Sequence, residues 1–238
     1  APKPGTDSAL AMAMGHVILK EFYIDTKSAY FEEYVKSYTD FPFLVFLHKL
    51  EDGSYIPGRI VRASDFLNNL DIKNNPEWKT VLFDKNFNIC VPNGCVGSRW
   101  GEDGFWNLEM KDVRNGSNID PVLTLLGNSD SVVTVCFPYY AGRSYKHFVF
   151  TNTNHNDILK RNVPVRKINF SNNLTTFVAT VFDLFVANYG VNRGLGGSDV
   201  ALTYDDDVPY TPRWQEAITG VKKEDVIQLA RQFAQNAN

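Results

Sequence analysis

From Thr6 to Tyr23 the apolar side chains Leu10, Met14, Val17, Ile18 and Phe22 recur at three- and four-residue steps, the spacing of one buried helical face. The residues ahead of them, Pro4-Gly5-Thr6-Asp7, read as a helix opening. Thr6 or Asp7 is the expected cap, and the free N–H groups of the first turn can receive an anion or the polar edge of a nucleotide. Asp25 or Thr26 is then expected to cap a second run, in which Tyr30, Phe31, Tyr34, Val35 and Tyr38 repeat the spacing until Pro42 stops it. The pattern predicts a helical hairpin over residues 1–42.

After Pro42 the apolar runs become short and rich in β-branched and aromatic residues, with Asn, Asp, Gly and Ser between them. Phe43 to Leu50 and Tyr55 to Val61 flank Glu51-Asp52-Gly53-Ser54, a hairpin turn signal. Further strands are predicted at Thr80 to Phe83, Ile89 to Val91, Phe105 to Met110, Val122 to Leu126, Val132 to Phe137, Phe148 to Phe150, Val165 to Phe170 and Thr175 to Val181. Phe182 to Tyr189 turns helical and ends at Gly190.

Helical signals return with Thr211-Pro212, a capping residue followed by a first-turn proline, and this helix stops at Gly220. Val221, Val226, Leu229, Ala230 and Phe233 mark a last helix, with Glu224 and Asp225 near its start and Arg231 near its end, as the helix dipole favours. The expected fold class is α/β, or α+β for the segment by itself. Helices at 1–42 and 210–238 bracket a β-rich insertion at 43–209. A helix opening of this kind normally follows a strand in an α/β unit, so a chain starting there is expected to be a piece of a larger protein.

Composition narrows the function classes. Acidic residues number 27 and basic ones 24, spread along the chain, so no electrostatic footprint for a nucleic-acid backbone stands out and no nucleic-acid partner is expected. The apolar stretch Ala9 to Leu19 is interrupted by Gly15 and His16, too short and polar to span a bilayer. Three cysteines, Cys90, Cys95 and Cys136, leave at least one unpaired and match no common zinc or iron–sulfur spacing; they are read as packing residues.

Other chemistry-bearing stretches read as structural. The loop Asn93 to Gly101 is glycine-rich and carries Arg99, but it lacks a P-loop ending. Tyr204-Asp205-Asp206-Asp207 departs from EF-hand spacing and reads as a solvated loop. His16, His48, His147 and His155 are scattered, with no zinc-pair spacing, and His16 is expected to pack on the first helix. Arg193 and Gly194-Leu195-Gly196-Gly197-Ser198 form a loop without a strand-to-helix context. No catalytic residue and no metal ligand is assigned.

The opening Pro4-Gly5-Thr6-Asp7-Ser8-Ala9-Leu10-Ala11-Met12-Ala13-Met14-Gly15-His16-Val17-Ile18 resembles a segment of the DMSO-reductase superfamily of molybdopterin oxidoreductases, and Tyr210-Thr211-Pro212-Arg213-Trp214 with Val226 to Ala234 resembles the helical pair that follows. Asn75 to Val81, Gly97 to Glu102, Trp106 to Glu109, Phe137-Pro138-Tyr139-Tyr140 and Ala187-Asn188-Tyr189-Gly190 are similar to respiratory nitrate reductase alpha subunits. The resemblance covers essentially the whole chain. It implies an internal segment of an enzyme that reduces nitrate to nitrite by oxygen-atom transfer at molybdenum held by two molybdopterin guanine dinucleotides, with quinol-derived electrons. It also implies an iron–sulfur cluster in the alpha subunit, an iron–sulfur beta subunit, an indirect membrane haem gamma subunit, and a place on the cytoplasmic face of the cell membrane. Gly5, Thr6 and Asp7 are the cofactor-binding residues it implies, against the guanosine end of one dinucleotide. The family's cluster and molybdenum ligands lie upstream, so the segment alone is expected to be inactive. The alternative is a free-standing binding or subunit-assembly module without catalysis.

Overall fold

The computed structural model describes residues 1–92, 110–139, 158–171 and 174–236. Helices and strands both contribute, as the α/β or α+β reading expects, and the chain divides into two compact units. The first comprises Ala1–Phe31, Val133–Val163 and Phe185–Asn238, the second Glu32–Val132 and Pro164–Leu184.

In the first unit, α1 (Asp7–Ile18) runs on without a break into a π-helical turn, Leu19–Asp25. Its buried stripe is Ala9, Ala13, His16, Val17, Leu19 and Tyr23. Of the face expected from the sequence only Val17 is fully buried, and Leu10, Met14, Ile18 and Phe22 are half-buried. The stripe is rotated because small alanines allow the close approach of α4 (Pro212–Thr219) and α5 (Lys223–Gln235). α4 is bounded as its sequence predicts. Thr211 Oγ1 accepts the Trp214 N–H at 3.1 Å, Pro212 fills the first turn, and Gly220 closes the helix in the left-handed region at φ 76°. Arg231 of α5 does more than complement a dipole, since its guanidinium grips Glu21 through two hydrogen bonds of 2.8 Å.

The second helix of the predicted hairpin, α2 (Ala29–Tyr38), starts later than Asp25 or Thr26. The π-helical turn extends to Asp25, the Thr26 hydroxyl donates back to the Glu21 carbonyl, and Lys27 breaks the path at φ 45°. Its expected aromatic face is not a core face: Val35 is buried, while Tyr30, Tyr34 and Tyr38 are exposed, the last two stacked at 4.9 Å.

The second unit is built on β1 (Leu44–Lys49) and β2 (Tyr55–Ile60), an antiparallel hairpin in the register Leu47↔Pro57 and Lys49↔Tyr55, turned at Glu51–Ser54. A two-stranded ribbon, β3 (Leu82–Phe83) and β4 (Ile89–Cys90), lies apart in the strand order. The Arg166–Asn169 end of β6 (Ile158–Asn169) pairs antiparallel with β7 (Thr175–Thr180), which pairs in turn with β1; β5 (Ser131–Pro138), whose residues from Val133 on belong to the first unit, neighbours β6 in the strand order. The core beneath is apolar: Leu44, Phe46, Val61, Phe66, Val81, Phe83, Val91, Leu125, Ile168, Phe170 and Val178 cluster together. Phe170 stands between Phe46 and Phe66, each ring centroid 4.8 Å away.

Two strand predictions need correction. Val122 to Leu126 is irregular: the Val122 N–H reaches the Phe83 carbonyl at 2.9 Å, and beyond it side chains meet the backbone instead of a ladder. The Leu123 carbonyl accepts from Thr180 Oγ1 at 2.7 Å, and the Leu125 N–H donates to the Asp183 carboxylate at 2.8 Å. The strand expected at Val165 begins at Ile158, seven residues earlier, and continues into α3 (Val181–Asn188) by way of β7. The strands predicted at Phe105 to Met110 and Phe148 to Phe150 lie outside the described residues, Met110 excepted; Met110 is in no strand and has φ 42°.

Candidate functional site

Pro4 and Gly5 occupy the centre of a reverse turn closed by the Thr6 N–H on the Lys3 carbonyl at 3.2 Å. Gly5 lies at φ 77°, the left-handed value a turn of this kind demands at its third position. A Cβ there would meet nothing within 4 Å, so glycine is required by the backbone path and leaves open space beside it. The turn is fastened to the end of α4 by the Lys3 N–H on the Thr219 carbonyl at 2.9 Å.

Thr6 stands at the N-cap position of α1, but its side chain caps nothing: the hydroxyl donates backward to the Lys3 carbonyl at 2.6 Å. The expected cap is therefore a turn lock. Asp7 is the first helical residue and its side chain is exposed. A carboxylate, an open glycine and the amide end of a twelve-residue helix stand together on one surface. This donor and acceptor set fits the guanine end of a dinucleotide. The carboxylate can accept from the base's N1–H and N2–H₂, and nothing crowds the backbone at Gly5.

Behind that surface the first unit is held by buried polar groups. His16 is 1% exposed, and its Nδ1 stands 2.7 Å from the Tyr189 carbonyl. A carbonyl only accepts, so Nδ1 carries the proton. Burial pulls the His16 pKa down to about 4, with the Tyr189 hydrogen bond opposing and the charges of Arg161 and Lys20 assisting, so the ring is neutral at pH 7. Gly15 lies beneath the Tyr189 ring, where a Cβ would clash.

Arg161, also 1% exposed, is the hub. Its Nε donates to the Asp199 carbonyl at 2.9 Å, Nη1 to the carbonyls of Ala187 (3.1 Å) and Asn188, and Nη2 to that of Pro209. The guanidinium also lies over the Tyr210 ring, 5.6 Å from its centroid. Gly190 is required here, because a Cβ would come within 2.7 Å of Nη2. Tyr210 in turn donates to the Pro138 carbonyl at 3.2 Å, and Trp214 Nε1 to the Tyr139 hydroxyl at 3.1 Å. The motifs Phe137-Pro138-Tyr139, Asn188-Tyr189-Gly190 and Tyr210 to Trp214 thus meet around one arginine that no sequence motif marked. Its signal was the strand alternation: Arg161 falls in step with the buried Leu159, Val163 and Val165 of β6.

Of the remaining candidates, the Arg193 loop borders this assembly at Asn162. Cys90 and Cys136 are buried, and burial pushes the Cys90 thiol up to about 11, so it is inert at neutral pH. Asp206 accepts from the Leu202 and Thr203 amides and the Thr203 hydroxyl, tying its own loop, and Asp205 pairs with Lys223. No cluster of three potential metal ligands occurs among the described residues, and none of their helices is long and apolar enough to cross a membrane. Cys95, the loop Asn93 to Gly101, His147 and His155 lie outside the described residues. Arg193 and the Gly194-Leu195-Gly196-Gly197 loop flank Asn162, whose Nδ2 donates to the Leu195 carbonyl at 3.0 Å.

No family model matches the chain. Individual relatives do. It is 47% identical over 238 residues to the respiratory nitrate reductase 1 alpha chain of Escherichia coli (strain K12) and 48% identical to the respiratory nitrate reductase 2 alpha chain of the same organism. In both cases all of this chain and 19% of the relative are covered. The nitrate reductase alpha chain of Bacillus subtilis (strain 168) is 46% identical over 236 residues, 99% of this chain and 18% of that one. The chain therefore spans about a fifth of the length of the relatives it matches. Identity at this level across essentially all of the chain identifies it with an internal segment of the nitrate reductase alpha chains.

Proposed function

We propose that this chain serves as a segment of the catalytic alpha subunit of a respiratory nitrate reductase, which converts nitrate to nitrite. The observation that supports this reading is the identity of 46–48% across essentially all of the chain to alpha chains so named. When bound, a molybdenum centre carried by two molybdopterin guanine dinucleotides supplies the oxygen-atom transfer chemistry. The segment's share is recognition and rigidity. Asp7 accepts from the guanine edge, Thr6 locks the turn that presents it, and Gly5 leaves room for the base. The polar assembly of His16, Tyr189 and Arg161 keeps α1 in place beneath. Electrons reach the parent from quinol through a membrane haem subunit and an iron–sulfur beta subunit, on the cytoplasmic face of the membrane, and the iron–sulfur and molybdenum ligands belong to other parts of the polypeptide.

The test uses the full-length parent subunit carrying Asp7→Asn or Asp7→Ala. Asp7→Ala removes both acceptor oxygens and Asp7→Asn turns one of them into a donor, so at least one guanine N–H loses its partner, a loss of roughly 1–3 kcal/mol. The guanine nucleotide released on hydrolysis of the cofactor should fall roughly tenfold or more at limiting cofactor, and nitrite formation should fall with it. Full cofactor content in both variants would remove Asp7 from this role. The 238-residue chain given reduced viologen and nitrate should form no nitrite.

A further inference from the structure

Two polar side chains near the end of α4, Gln215 and Thr219, are 0% exposed. Burying an amide and a hydroxyl is costly unless their polar atoms find partners, and here they do. Thr219 Oγ1 donates to Gln215 Oε1 at 2.7 Å, Gln215 Nε2 donates to the Val221 carbonyl at 2.9 Å, and the Val221 N–H donates back to Thr219 Oγ1 at 2.9 Å. Gln215 Nε2 also donates to the Pro212 carbonyl at 3.1 Å. The three residues form a closed ring of hydrogen bonds around Gly220.

A glycine stop does not need such a ring. Gly220 at φ 76°, with its N–H on the Glu216 carbonyl at 2.9 Å, already ends the helix. What the ring adds is a fixed backbone on both sides of the Thr219–Gly220 peptide, and hence a fixed direction for the Thr219 carbonyl. That carbonyl accepts the Lys3 N–H at 2.9 Å. The Lys3 carbonyl in turn receives both the N–H and the hydroxyl of Thr6, and Asp7 follows at once. Lys3, Pro4, Gly5 and Asp7 are all exposed, so side-chain packing does little to hold this turn. Its position is set by the bond to Thr219.

We infer that Gln215 and Thr219 are positioning residues for the guanine contact: they aim the carbonyl that holds the Lys3–Thr6 turn, and so set where Asp7 stands. The inference rests on the assignment of Asp7 to the guanine edge. Its test uses the full-length parent subunit and two variants that release the turn by different routes. Thr219→Val keeps the side-chain shape but opens the buried ring. Lys3→Pro leaves the ring intact and removes, at a surface position, the N–H that the Thr219 carbonyl accepts. Each should lower the guanine nucleotide bound at limiting cofactor about fivefold, and Thr219→Ser, which restores the hydroxyl, should return it to the wild-type level. Hydrogen exchange at the Lys3 amide should quicken about tenfold in Thr219→Val. Added to Asp7→Asn, neither Thr219→Val nor Lys3→Pro should lower the bound guanine by more than about twofold, because a displaced turn cannot harm a contact already lost. Full guanine content in both variants beside a loss in Asp7→Asn would overturn the positioning role alone, as would losses that multiply with that of Asp7→Asn. Full content in Asp7→Asn would remove the guanine contact itself, and this inference with it.

Discussion

The two units of this chain solve the same problem by opposite means. The second hides Phe46, Phe66, Phe83, Leu125 and Phe170 in an apolar cluster, with the buried Asp183 carboxylate holding the Leu125 N–H at its edge, whereas the first is organised around a buried arginine, a neutral histidine and a run of carbonyls. An apolar cluster is nondirectional and tolerates rearrangement, since burial scales with area. A guanidinium spanning the carbonyls of residues 187, 188, 199 and 209 fixes those segments at hydrogen-bond precision. The candidate cofactor surface lies on the unit held in this directional way, where a small displacement of α1 would misplace Asp7.

The sharpest way to break the comparison is Arg161→Met in the 238-residue chain. It removes the charge but leaves four carbonyls without their donor, and the expected loss is roughly 4 kcal/mol, read as a lower urea midpoint. A loss under about 1 kcal/mol would show that packing, and not the arginine, holds the first unit. Leu125→Ala deletes a fully buried side chain from the apolar cluster and should cost roughly 3 kcal/mol by the same measurement. Hydrogen exchange should show the two losses in different units: Leu125→Ala should leave the amides of α4 and α5 protected, and equal deprotection throughout would erase the distinction.

A pH titration separates the units further. His16 titrates near 6.5 in the unfolded chain and near 4 when folded, because burial excludes the charged ring. Above pH 6.5 both states are neutral and the histidine imposes no penalty. As the pH falls from 6.5 to 4 the unfolded chain takes up a proton that the folded chain refuses, and stability drops by roughly 3 kcal/mol. A His16→Gln variant, although weaker at pH 7, should lose less over that interval; parallel curves would put the acid sensitivity elsewhere. The smallest effect concerns two threonines. Thr211→Ala removes a cap that accepts the Trp214 amide and should cost about 1 kcal/mol, while Thr6→Ala should cost less than half of that, since the Thr6 hydroxyl caps no helix amide.

Particular residues show how far sequence reading reaches. The hairpin at Glu51–Ser54, the Thr211-Pro212 opening and the Gly220 stop were legible because their signals are local: a turn, a cap and a left-handed glycine depend on neighbours in the chain. The face of α1 was read one step out of register, since large apolar residues dominate a periodicity while small alanines decide close helix packing. Arg161 escaped notice for a related reason. Charged residues are read as surface, and only the hydrogen-bonding carbonyls of distant segments make its burial tolerable. The candidate residues Gly5, Thr6 and Asp7 were visible as a motif, but the role of Thr6 as a turn lock in place of a cap depended on where its hydroxyl points.

By itself, then, the chain of residues determined the helices at 7–18 and 212–235, the Glu51–Ser54 hairpin, the Thr211 cap and Gly220 stop of α4, and a family resemblance strong enough to name, because each is written in local pattern or in matching residues. Tertiary structure alone decided which carbonyls converge on Arg161 and that His16 stays neutral. Those properties arise from groups up to 173 residues apart, as in the contact of His16 with Tyr189, and sequence spacing carries no information about their approach. Burial and hydrogen bonding set the charge states once the groups meet.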